Sequence, residues 1–557
     1  MLKILTCKIN LYSVNLFDSL NKKSLELEMK EYDAIVIGAG NAGLTAATTL
    51  QRGGAKTLLL EKHNIPGGCA TSFVRGEFEF EVALHQLSGL GTEKQPFIMR
   101  QIFKDLGVMD KVEFVQESEL YRMVVNDGVN DFDVTLPACW DGIKKTLSEF
   151  APEEKDSITQ FMALCEKVCV ENFMYLPKAR KQADKELLKN MAGKFVEYGL
   201  KSAKEVLDEF FENEKLKTVL AAYWCYLGLP PSQMAFSDLA IMLFSYGVFK
   251  PWHIKGGSQA LSSALLESFL EAGGEVRFNC AVEKILTKQN NEKPEVQGVR
   301  TEHGDMIRSD QIISNASSVL TYSELLDTPS MPTDIQQDFK SREIGTSAFC
   351  LYLGLDCSPA DLGITNASTF LSSTTDEELM HDTMSTMNAP VATMLTCYNV
   401  DDPSFAPNGK TQVSLLCLQY GKLWEDVPIE KYAETKYAFA EYLLAQAELT
   451  FPGIKASIEE VEVATPLTMM RYLNTPQGAI YGFQQNPEDS SLYRKRSKSV
   501  NGLHLAGSWN GMGGFQPTYM IGGSTARNVL KQIHANKKNA SAENNKTNNA
   551  TQEVSHV

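Results

Sequence analysis

The chain has 557 residues, a mass of 61.8 kDa and a formal net charge of -16. This length exceeds one ordinary hydrophobic core, so we expect two interwoven domains or one large domain with insertions. The acidic balance argues against nucleic acid as the main partner, because phosphate binding needs a basic surface. No segment approaches the roughly 20 uninterrupted apolar residues of a membrane-spanning helix. We therefore expect a cytoplasmic protein and leave peripheral membrane association open.

The eleven cysteines are scattered without a Cys-x-x-Cys pair. This spacing indicates neither a disulfide framework nor a metal site, and it favours reduced thiols. Cys165 and Cys169 share one helical face, where two buried small hydrophobic side chains are a better interpretation than a metal pair. The N-terminal extension, residues 1–30, lacks the small-residue cleavage site of a secretory signal. The true start is either Met1 or Met29.

The first predicted strand, residues 34–37, is continuously apolar, as a strand buried on both faces requires. It runs directly into Gly38, Gly40 and Gly43, and a helical pattern follows over residues 44–50. The first glycine can adopt the turn, the second lets the backbone approach a pyrophosphate, and the third allows the helix to pack closely on the strand. The N-terminus of this helix then points at negative charge. The arrangement predicts a dinucleotide site.

A second predicted strand, residues 57–60, ends at Glu61. A carboxylate at this position can accept hydrogen bonds from both ribose hydroxyls, which favours an unphosphorylated adenosine ribose. NAD and FAD share this half of the molecule, so the fingerprint alone leaves both open.

The run that follows, Pro66-Gly67-Gly68-Cys69-Ala70-Thr71-Ser72-Phe73, resembles the signature of a large flavoprotein group. That group includes amine oxidases, carotenoid desaturases and Rab GDP-dissociation inhibitors. Within it, this run together with Phe78-x-Phe80 and Leu84-His85-x-x-x-Gly89 is most similar to phytoene desaturases, carotenoid isomerases and retinol saturases, which act on long apolar polyenes. Later matches extend the resemblance over residues 31–533 and lie at 254–261, Val282, Gly298-Val299, Ser314-Asn315-Ala316, Thr465-Pro466, 478–482, 502–507 and Gly513-Gly514.

The resemblance implies an α/β fold, with a Rossmann-like FAD-binding domain of the GR2 flavoprotein type interleaved with an α+β substrate domain that contains a mixed sheet and a helical lid. It implies FAD as the cofactor, with a last helix that starts near Met520 and points its N-terminus at the flavin and pyrophosphate. The cofactor-binding residues that it implies are Gly38, Gly40, Ala42, Gly43, Glu61, Lys62, Gly67, Gly68, Cys69, Ala70, Thr71, Val282, Gly507, Ser508, Gly513, Gly514 and Met520.

Two positions depart from the family pattern. Many relatives have an acidic residue after Leu505-Ala506-Gly507, whereas this chain has Ser508-Trp509. Either a serine hydroxyl or backbone amide substitutes there, or flavin binding is weaker. Carotenoid desaturases usually have Asp-x-Gly where this chain has Glu81-Val82-Ala83, a segment closer to saturases and isomerases.

Between these motifs, residues 92–250 have a mainly helical pattern, and 346–418 contain short β-rich runs that predict a sheet. We therefore assign residues 31–91, 251–330 and 481–535 to a discontinuous FAD-binding domain, and 92–250 and 331–480 to a substrate-binding domain. Residues 536–557 contain few apolar side chains and are predicted to form a disordered tail.

A basic stretch in the helical region reverses the overall charge of the chain. A basic amphipathic face could rest on anionic lipid, but an ordinary solvated helix face is the simpler interpretation. The basic residues are Lys178, Arg180, Lys181, Lys185, Lys189, Lys194, Lys201 and Lys204.

Catalysis by FAD needs a C–H or C=C bond placed over the ring rather than a strong nucleophile. A saturating reaction also needs a proton at the neighbouring carbon, which a His or Tyr could supply. The candidates are His85 and Tyr481, with Tyr519 behind them. A structural histidine at 85 and a pocket-wall tyrosine at 481 remain alternatives.

Three functions follow. The leading hypothesis is an FAD enzyme that saturates, desaturates or isomerises C=C bonds of a hydrophobic polyene or lipid. The second is a flavin amine oxidase, with Trp509 and Tyr519 as an aromatic pair facing the flavin. The third is a non-catalytic lipid-binding protein on the same fold. The sequence contains no second dinucleotide fingerprint, so the electron donor or acceptor stays open.

Overall fold

A computed structural model describes residues 31–175, 186, 190–199, 201–290, 293–487 and 497–554, with side chains as far as 539 and at 541. The predicted N-terminal extension therefore lies outside the described residues. The strands are β1 (Ala34–Ile37), β2 (Thr57–Leu60), β3 (Ser72–Arg75), β4 (Phe78–Glu81), β5 (Phe114–Gln116), β6 (Glu119–Val125), β7 (Phe132–Pro137), β8 (Trp252–Ile254), β9 (Glu275–Arg277), β10 (Val282–Gln289), β11 (Pro294–Thr301), β12 (Met306–Arg308), β13 (Ile312–Ser314), β14 (Ser347–Leu355), β15 (Ser368–Ser372), β16 (Ala392–Cys397), β17 (Thr411–Gln419), β18 (Ile458–Ala464) and β19 (Leu503–Leu505).

The α-helices connect and cover these strands. Two shorter helical turns, Ser318–Leu320 and Lys422–Glu425, are left unlabelled. The labelled helices are α1 (Asn41–Arg52), α2 (Ile98–Asp105), α3 (Trp140–Phe150), α4 (Lys155–Val170), α5 (Gly193–Tyr198), α6 (Ala203–Phe210), α7 (Glu214–Ala221), α8 (Phe236–Phe249), α9 (Gly257–Glu271), α10 (Thr333–Lys340), α11 (Glu377–Thr383), α12 (Tyr432–Thr450), α13 (Pro466–Leu473) and α14 (Phe515–Val554).

A five-stranded parallel sheet forms the first layer, in the order β19-β13-β1-β2-β9. All four residues of β1 are buried, because the sheet is covered on both faces. Helices α1, α9 and α14 pack on one face, and the antiparallel sheet β10-β11-β12 packs on the other. All five parallel strands come from the segments 31–91, 251–330 and 481–535. The predicted α/β class with a Rossmann-like domain is confirmed.

A seven-stranded mixed sheet forms the second layer, in the order β18-β14-β17-β16-β15-β6-β7. Only the pairing of β15 with β6 is parallel. Helix α12 covers one face, and the helices between residues 140 and 249 cover the other as the predicted lid. The helical prediction for 92–250 was therefore incomplete. It missed the hairpin of β6 and β7, which is stabilised by pairing with a distant strand, β15.

The C-terminal helix differs from its prediction at both ends. It begins at Phe515 rather than near Met520, because Pro517 is tolerated in a first helical turn, where its missing N–H has no intrahelical partner. It then continues to Val554, through the segment predicted to be a disordered tail. This segment extends a helix whose earlier turns are packed in the core, so its residues add to an existing helix without the cost of nucleation. Lys537 also forms an ion pair with Asp33 at 2.6 Å.

Two further predictions concern the helical lid. Cys165 and Cys169 are fully buried in its hydrophobic core and form no disulfide. Of the basic stretch, Lys194, Lys201 and Lys204 are described, and each forms an ion pair with an acidic side chain. This pairing favours a solvated helix face. The other basic residues of the stretch lie outside the described residues. Within the described ranges, no helix combines the length and apolar character needed to cross a membrane.

Candidate active site

One large cavity, of about 1310 Å³, lies between the two sheets. Its walls include the residues that follow β1, β2, β13 and β19, at the carboxyl edge of the parallel sheet. Ligands of open α/β sheets bind at this edge. The volume exceeds that of an ordinary pocket for one small molecule, roughly 300–1,000 Å³. The cavity therefore has room for a cofactor and a substrate together.

The glycine fingerprint forms the turn between β1 and α1. Gly38 has a φ of +90°, in the region that favours glycine. A Cβ atom at Gly43 would lie 1.8 Å from the carbonyl oxygen of Gly38, so only glycine allows this helix to pack on this strand. Gly40 lies on the cavity wall at the N-cap of α1, which leaves the first helical amides directed at a ligand.

Asn315 joins this turn to the C-terminal glycine loop, a role that the sequence prediction missed. Its backbone amide donates to the carbonyl of Ile37 at 2.8 Å, and its side-chain amide donates to that of Gly38 at 3.4 Å. A Cβ atom at Gly40 would lie 2.9 Å from Asn315 Nδ2, and one at Gly507 would lie 2.6 Å from Oδ1. The Ser314-Asn315-Ala316 motif at the end of a strand marked this position in the sequence, but it did not indicate that Asn315 contacts the glycine loops.

Glu61 is buried at the end of β2 and faces the cavity. Its carboxylate accepts hydrogen bonds from the backbone amides of Ala39, at 2.6 Å, and His63, at 2.8 Å. A carboxylate has about four acceptor positions, so these bonds hold its orientation and leave positions for a ribose.

The second glycine pair, Gly67 and Gly68, closes over this turn. Both have positive φ angles, +124° and +63°, and the Gly67 amide donates to the carbonyl of Ala39 at 2.8 Å. Burial raises the pKa of the neighbouring Cys69 to about 11, so its thiol remains protonated. This segment thus forms a neutral wall beside the phosphate-binding turn.

Most of the predicted cofactor-binding residues meet on the cavity wall, and three lie behind it. Gly43 packs against the Gly38 carbonyl, Gly513 packs against the Tyr481 backbone, and Met520, on α14, is partly buried against the core. Because the helix starts at Phe515, Gly514 and Phe515 line the cavity where Met520 had been expected. The predicted cofactor-binding residues on the wall are Gly38, Gly40, Ala42, Glu61, Lys62, Gly67, Gly68, Cys69, Ala70, Thr71, Val282, Gly507, Ser508 and Gly514.

This cradle fits FAD. It combines glycines that a side chain could not replace, a helix N-terminus and an oriented carboxylate at the adjacent strand. Glu81, the second departure from the family pattern, is not part of this cradle. Its buried carboxylate accepts hydrogen bonds from the amide and hydroxyl of Ser258, at 2.6 and 2.5 Å, and so joins β4 to α9.

His85 lines the cavity where the two sheets meet. Its Nδ1 atom lies 2.8 Å from Thr396 Oγ1 on β16, and its ring stacks on Tyr226 with centroids 6.2 Å apart. Burial lowers the pKa of His85 to about 4, so the imidazole is neutral at pH 7. A neutral imidazole can orient a ligand, but it is a weak proton donor.

The two candidate tyrosines lie in different places. Tyr481 lines the cavity, and burial raises the pKa of its hydroxyl well above the usual range, which keeps it protonated. Tyr519 lies in the core behind the fingerprint, where its ring packs on Phe103 and its hydroxyl donates to Asn41 Oδ1 at 3.0 Å. The aromatic pair of Trp509 and Tyr519 is therefore not formed, because only Trp509 reaches the cavity wall.

The far half of the cavity is apolar. Alternate residues of neighbouring strands point to one face of the mixed sheet, as the pleat requires. They meet Tyr226 and other side chains of the helical lid. The apolar wall residues on these strands are Met123, Phe370, Met394, Leu416 and Leu418.

A family model described as flavin containing amine oxidoreductase matches residues 41–530. The chain belongs to this family. The FAD cofactor and the assignment as an oxidoreductase are thereby confirmed.

Curated proteins that are similar to this chain are named for reactions of retinol, prolycopene and diapophytoene. All-trans-retinol 13,14-reductase of Danio rerio is 27% identical over 81% of this chain and 78% of its own. Prolycopene isomerase of Daucus carota is 25% identical over 86% and 76%. A 4,4'-diapophytoene desaturase of Methylomonas sp is 24% identical over 90% and 95%.

Solved structures share the fold of this flavoenzyme. An oxidoreductase from Methanosarcina mazei aligns with a TM-score of 0.61 at 16% identity, over 88% of this chain and 99% of its own. Putrescine oxidase bound to putrescine aligns with a TM-score of 0.58 at 14% identity, over 90% and 99%. At these identities the likeness concerns the fold alone.

Proposed function

We propose that this flavoenzyme changes the C=C or C–C bonds of a hydrophobic polyene, as a saturase, desaturase or isomerase. The observation that carries the proposal is that the FAD cradle opens directly into an apolar space within one continuous cavity. Bound FAD would supply hydride transfer at its N5 atom.

The residues of the chain would bind, orient and enclose the substrate. Phe370, Met394 and Leu416 offer an apolar wall without charge, which suits a hydrocarbon. Tyr481 keeps its proton and His85 stays neutral, so neither adds a charge beside the polyene. Both side chains still carry a proton at pH 7, and burial makes both of them weak acids, so the pKa shifts favour neither as the proton donor.

The names of the relatives support a polyene substrate, since a reductase, an isomerase and a desaturase of such molecules all match most of this chain. The family description and the putrescine oxidase fold keep amine oxidation as the second candidate. Against it stands the position of Tyr519, which removes the particular aromatic pair of Trp509 and Tyr519.

We also infer that the protein takes its substrate from a membrane surface. Ile429 and Tyr472 line the cavity and are 86% and 53% exposed, so they mark its mouth. Lys436 and Arg471 line the same region and could meet anionic headgroups. Flotation with liposomes tests this contact: Ile429→Asp should reduce binding, while the matched exposed change Val129→Asp should not. Equal binding by both variants would contradict it.

The test of the proposed reaction is product mass. The FAD-loaded protein, oxidised or reduced with dithionite, is incubated without oxygen with all-trans-retinol or a carotene, and the products are separated for mass spectrometry. A gain of two hydrogens indicates saturation, a loss of two indicates desaturation, and an unchanged mass with altered retention indicates isomerisation. Unaltered polyenes together with oxidation of a simple amine would refute the proposal.

A further inference from the structure

A small polar pocket lies at one edge of the mixed sheet, separate from the large cavity. β6 and β15 begin at this edge, and the chain leaves β16 there. The pocket has a volume of about 10 Å³, which is room for one ion or one water molecule. Its wall includes Glu119, Asn366, Ser368 and Asp401, and none of its described wall residues is a His or a Cys.

The strand register brings three of these side chains to one face. Phe370 pairs with Met123 in the parallel ladder of β15 and β6. Continued four residues back along both strands, this pairing sets Asn366 beside Glu119, with Ser368 on the same face between Asn366 and Phe370. The side chains agree with this register, because Asn366 Nδ2 donates a hydrogen bond to Glu119 Oε2. Asn366 thus holds the Glu119 carboxylate at the pocket.

The hydroxyl group of Ser368 is buried in the pocket wall without a partner. Ser368 is 2% exposed, and its Oγ atom forms no hydrogen bond with the described part of the chain. An unpaired buried hydroxyl costs free energy, which a ligand in the pocket would recover. Serine hydroxyl oxygens bind hard cations.

Two carboxylates, of Glu119 and Asp401, share the wall of this pocket. Among the residues that the structure describes, neither forms an ion pair. Burial, and then the charge of Glu119, raise the pKa of Asp401 to about 6. A third carboxylate, of Glu117, accepts from Gln86 Nε2 at 2.6 Å and lies outside the pocket. A water molecule would leave the two charges uncompensated, whereas a cation would balance them.

We propose that this pocket binds one Ca²⁺ ion, with Glu119, Ser368 and Asp401 as ligands. Two carboxylates balance a divalent charge, and with the hydroxyl they supply up to about five of the six to eight oxygens that Ca²⁺ takes. Mg²⁺ usually keeps several waters, for which a pocket of about 10 Å³ has no room. Zn²⁺ is bound mainly by His and Cys, which the wall lacks. The ion would join the starts of β6 and β15 to the end of β16.

The test is calorimetric titration of the FAD-loaded full-length protein, first freed of metal with EGTA and dialysed, with CaCl₂ or MgCl₂. One Ca²⁺ should bind per chain, roughly tenfold or more tightly than Mg²⁺. Ca²⁺ at about 100 times its Kd should raise Tm by ~3 °C. Asp401→Asn, which removes one charge and keeps the size, should weaken Ca²⁺ binding by roughly tenfold or more. The exposed Asp382→Asn is the matched control and should bind as the wild type does.

Ser368→Ala tests the same pocket while keeping both charges. After chelation its Tm should equal or exceed that of the wild type, because an unpaired buried hydroxyl is removed, but its rise with Ca²⁺ should be smaller. This variant decides the question if Asp401→Asn fails to fold, as judged by bound flavin. Absence of a saturable Ca²⁺ site, equal affinity for Mg²⁺, or the same Tm rise in the wild type and Ser368→Ala would refute the inference. No substrate is present, so none of these results bears on the proposed polyene reaction.

Discussion

The two halves of the cavity are built in different ways. The cofactor half is made of backbone: Gly38 and Gly40 lie between the end of β1 and the start of α1, Gly67 lies in the loop between β2 and β3, and Asn315 contacts the first of these turns. The substrate half is made of side chains from strands that are distant in the sequence, such as Phe370 and Met394. Cofactor binding therefore depends on backbone shape, whereas substrate choice depends on replaceable side chains.

The largest effect is expected from adding a methyl group to the cofactor half. Gly43→Ala would place Cβ 1.8 Å from the Gly38 carbonyl, so α1 or β1 must move. We expect a loss of about 3 kcal/mol in the free energy of unfolding, together with loss of bound FAD. Denaturant unfolding and the flavin absorbance measure both. Gly193→Ala is the control, because a Cβ there meets no atom within 4 Å; equal stability of the two variants would contradict the backbone argument.

A smaller effect in the same half is expected from Glu61→Gln. The amide keeps the size of the side chain but loses the charge that orients it towards Ala39 and His63. We expect FAD to bind more weakly by about 2 kcal/mol, or roughly 30-fold in Kd. Titration of the apoprotein with FAD measures this change, with the exposed Glu93→Gln as control. An unaltered Kd would show that Glu61 has no part in the ribose site.

A change in the substrate half should leave the cofactor in place. Met394→Trp fills part of the apolar space, so kcat/KM for a polyene should fall roughly tenfold through steric conflict. Bound flavin should stay at the wild-type level. The matched control is Met306→Trp on the half-exposed edge strand β12. Loss of flavin from Met394→Trp would contradict the conclusion that the two halves of the cavity bind cofactor and substrate independently.

The smallest effect is expected at His85, where the halves meet. Its pKa of about 4 keeps the ring neutral between about pH 5 and 8, so His85→Gln, which can still bond Thr396, should change kcat/KM less than about threefold. A general acid would show a loss of ~100-fold or more. His303→Gln, at an exposed histidine, is the control.

The same lowered pKa predicts a pH effect on stability. Between about pH 6.5 and 4 the unfolded chain takes up a proton at position 85 that the folded chain excludes, so His85 makes the wild type less stable as pH falls. Denaturant unfolding at pH 7.5 and 5 should show a smaller decrease for His85→Gln than for the wild type. An identical decrease would mean that His85 is protonated in the folded protein.

The sequence predicted the cofactor half well, because its chemistry is local. Gly38 and Gly40 lie in the strand, turn and helix of residues 34–52, Glu61 follows at the end of the next strand, and all three line the cavity. The contact of Asn315 with two glycine loops was missed, since it depends on the pairing of β1 with β13. Tyr519 was predicted in the site but lies behind it, because the side-chain direction on α14 depends on where that helix begins.

The sequence predicted a sheet in the substrate half, but it did not predict all of the strands that form this sheet. The β-rich runs between 346 and 418 indicated a sheet, but nothing local indicated that β6 would join it beside β15.

The central claim is that one cavity brings a polyene against bound FAD. The most direct measurement is an anaerobic reaction in which the flavin and polyene absorption bands are recorded together after holoenzyme, either oxidised or reduced with dithionite, is mixed with all-trans-retinol. We predict either that up to one polyene is desaturated per oxidised flavin or saturated per reduced flavin, or that the polyene is isomerised without net change of the flavin band. The flavin-free protein should give no change. Unaltered polyene at full flavin occupancy, with the flavin band bleached by a simple amine, would contradict the account.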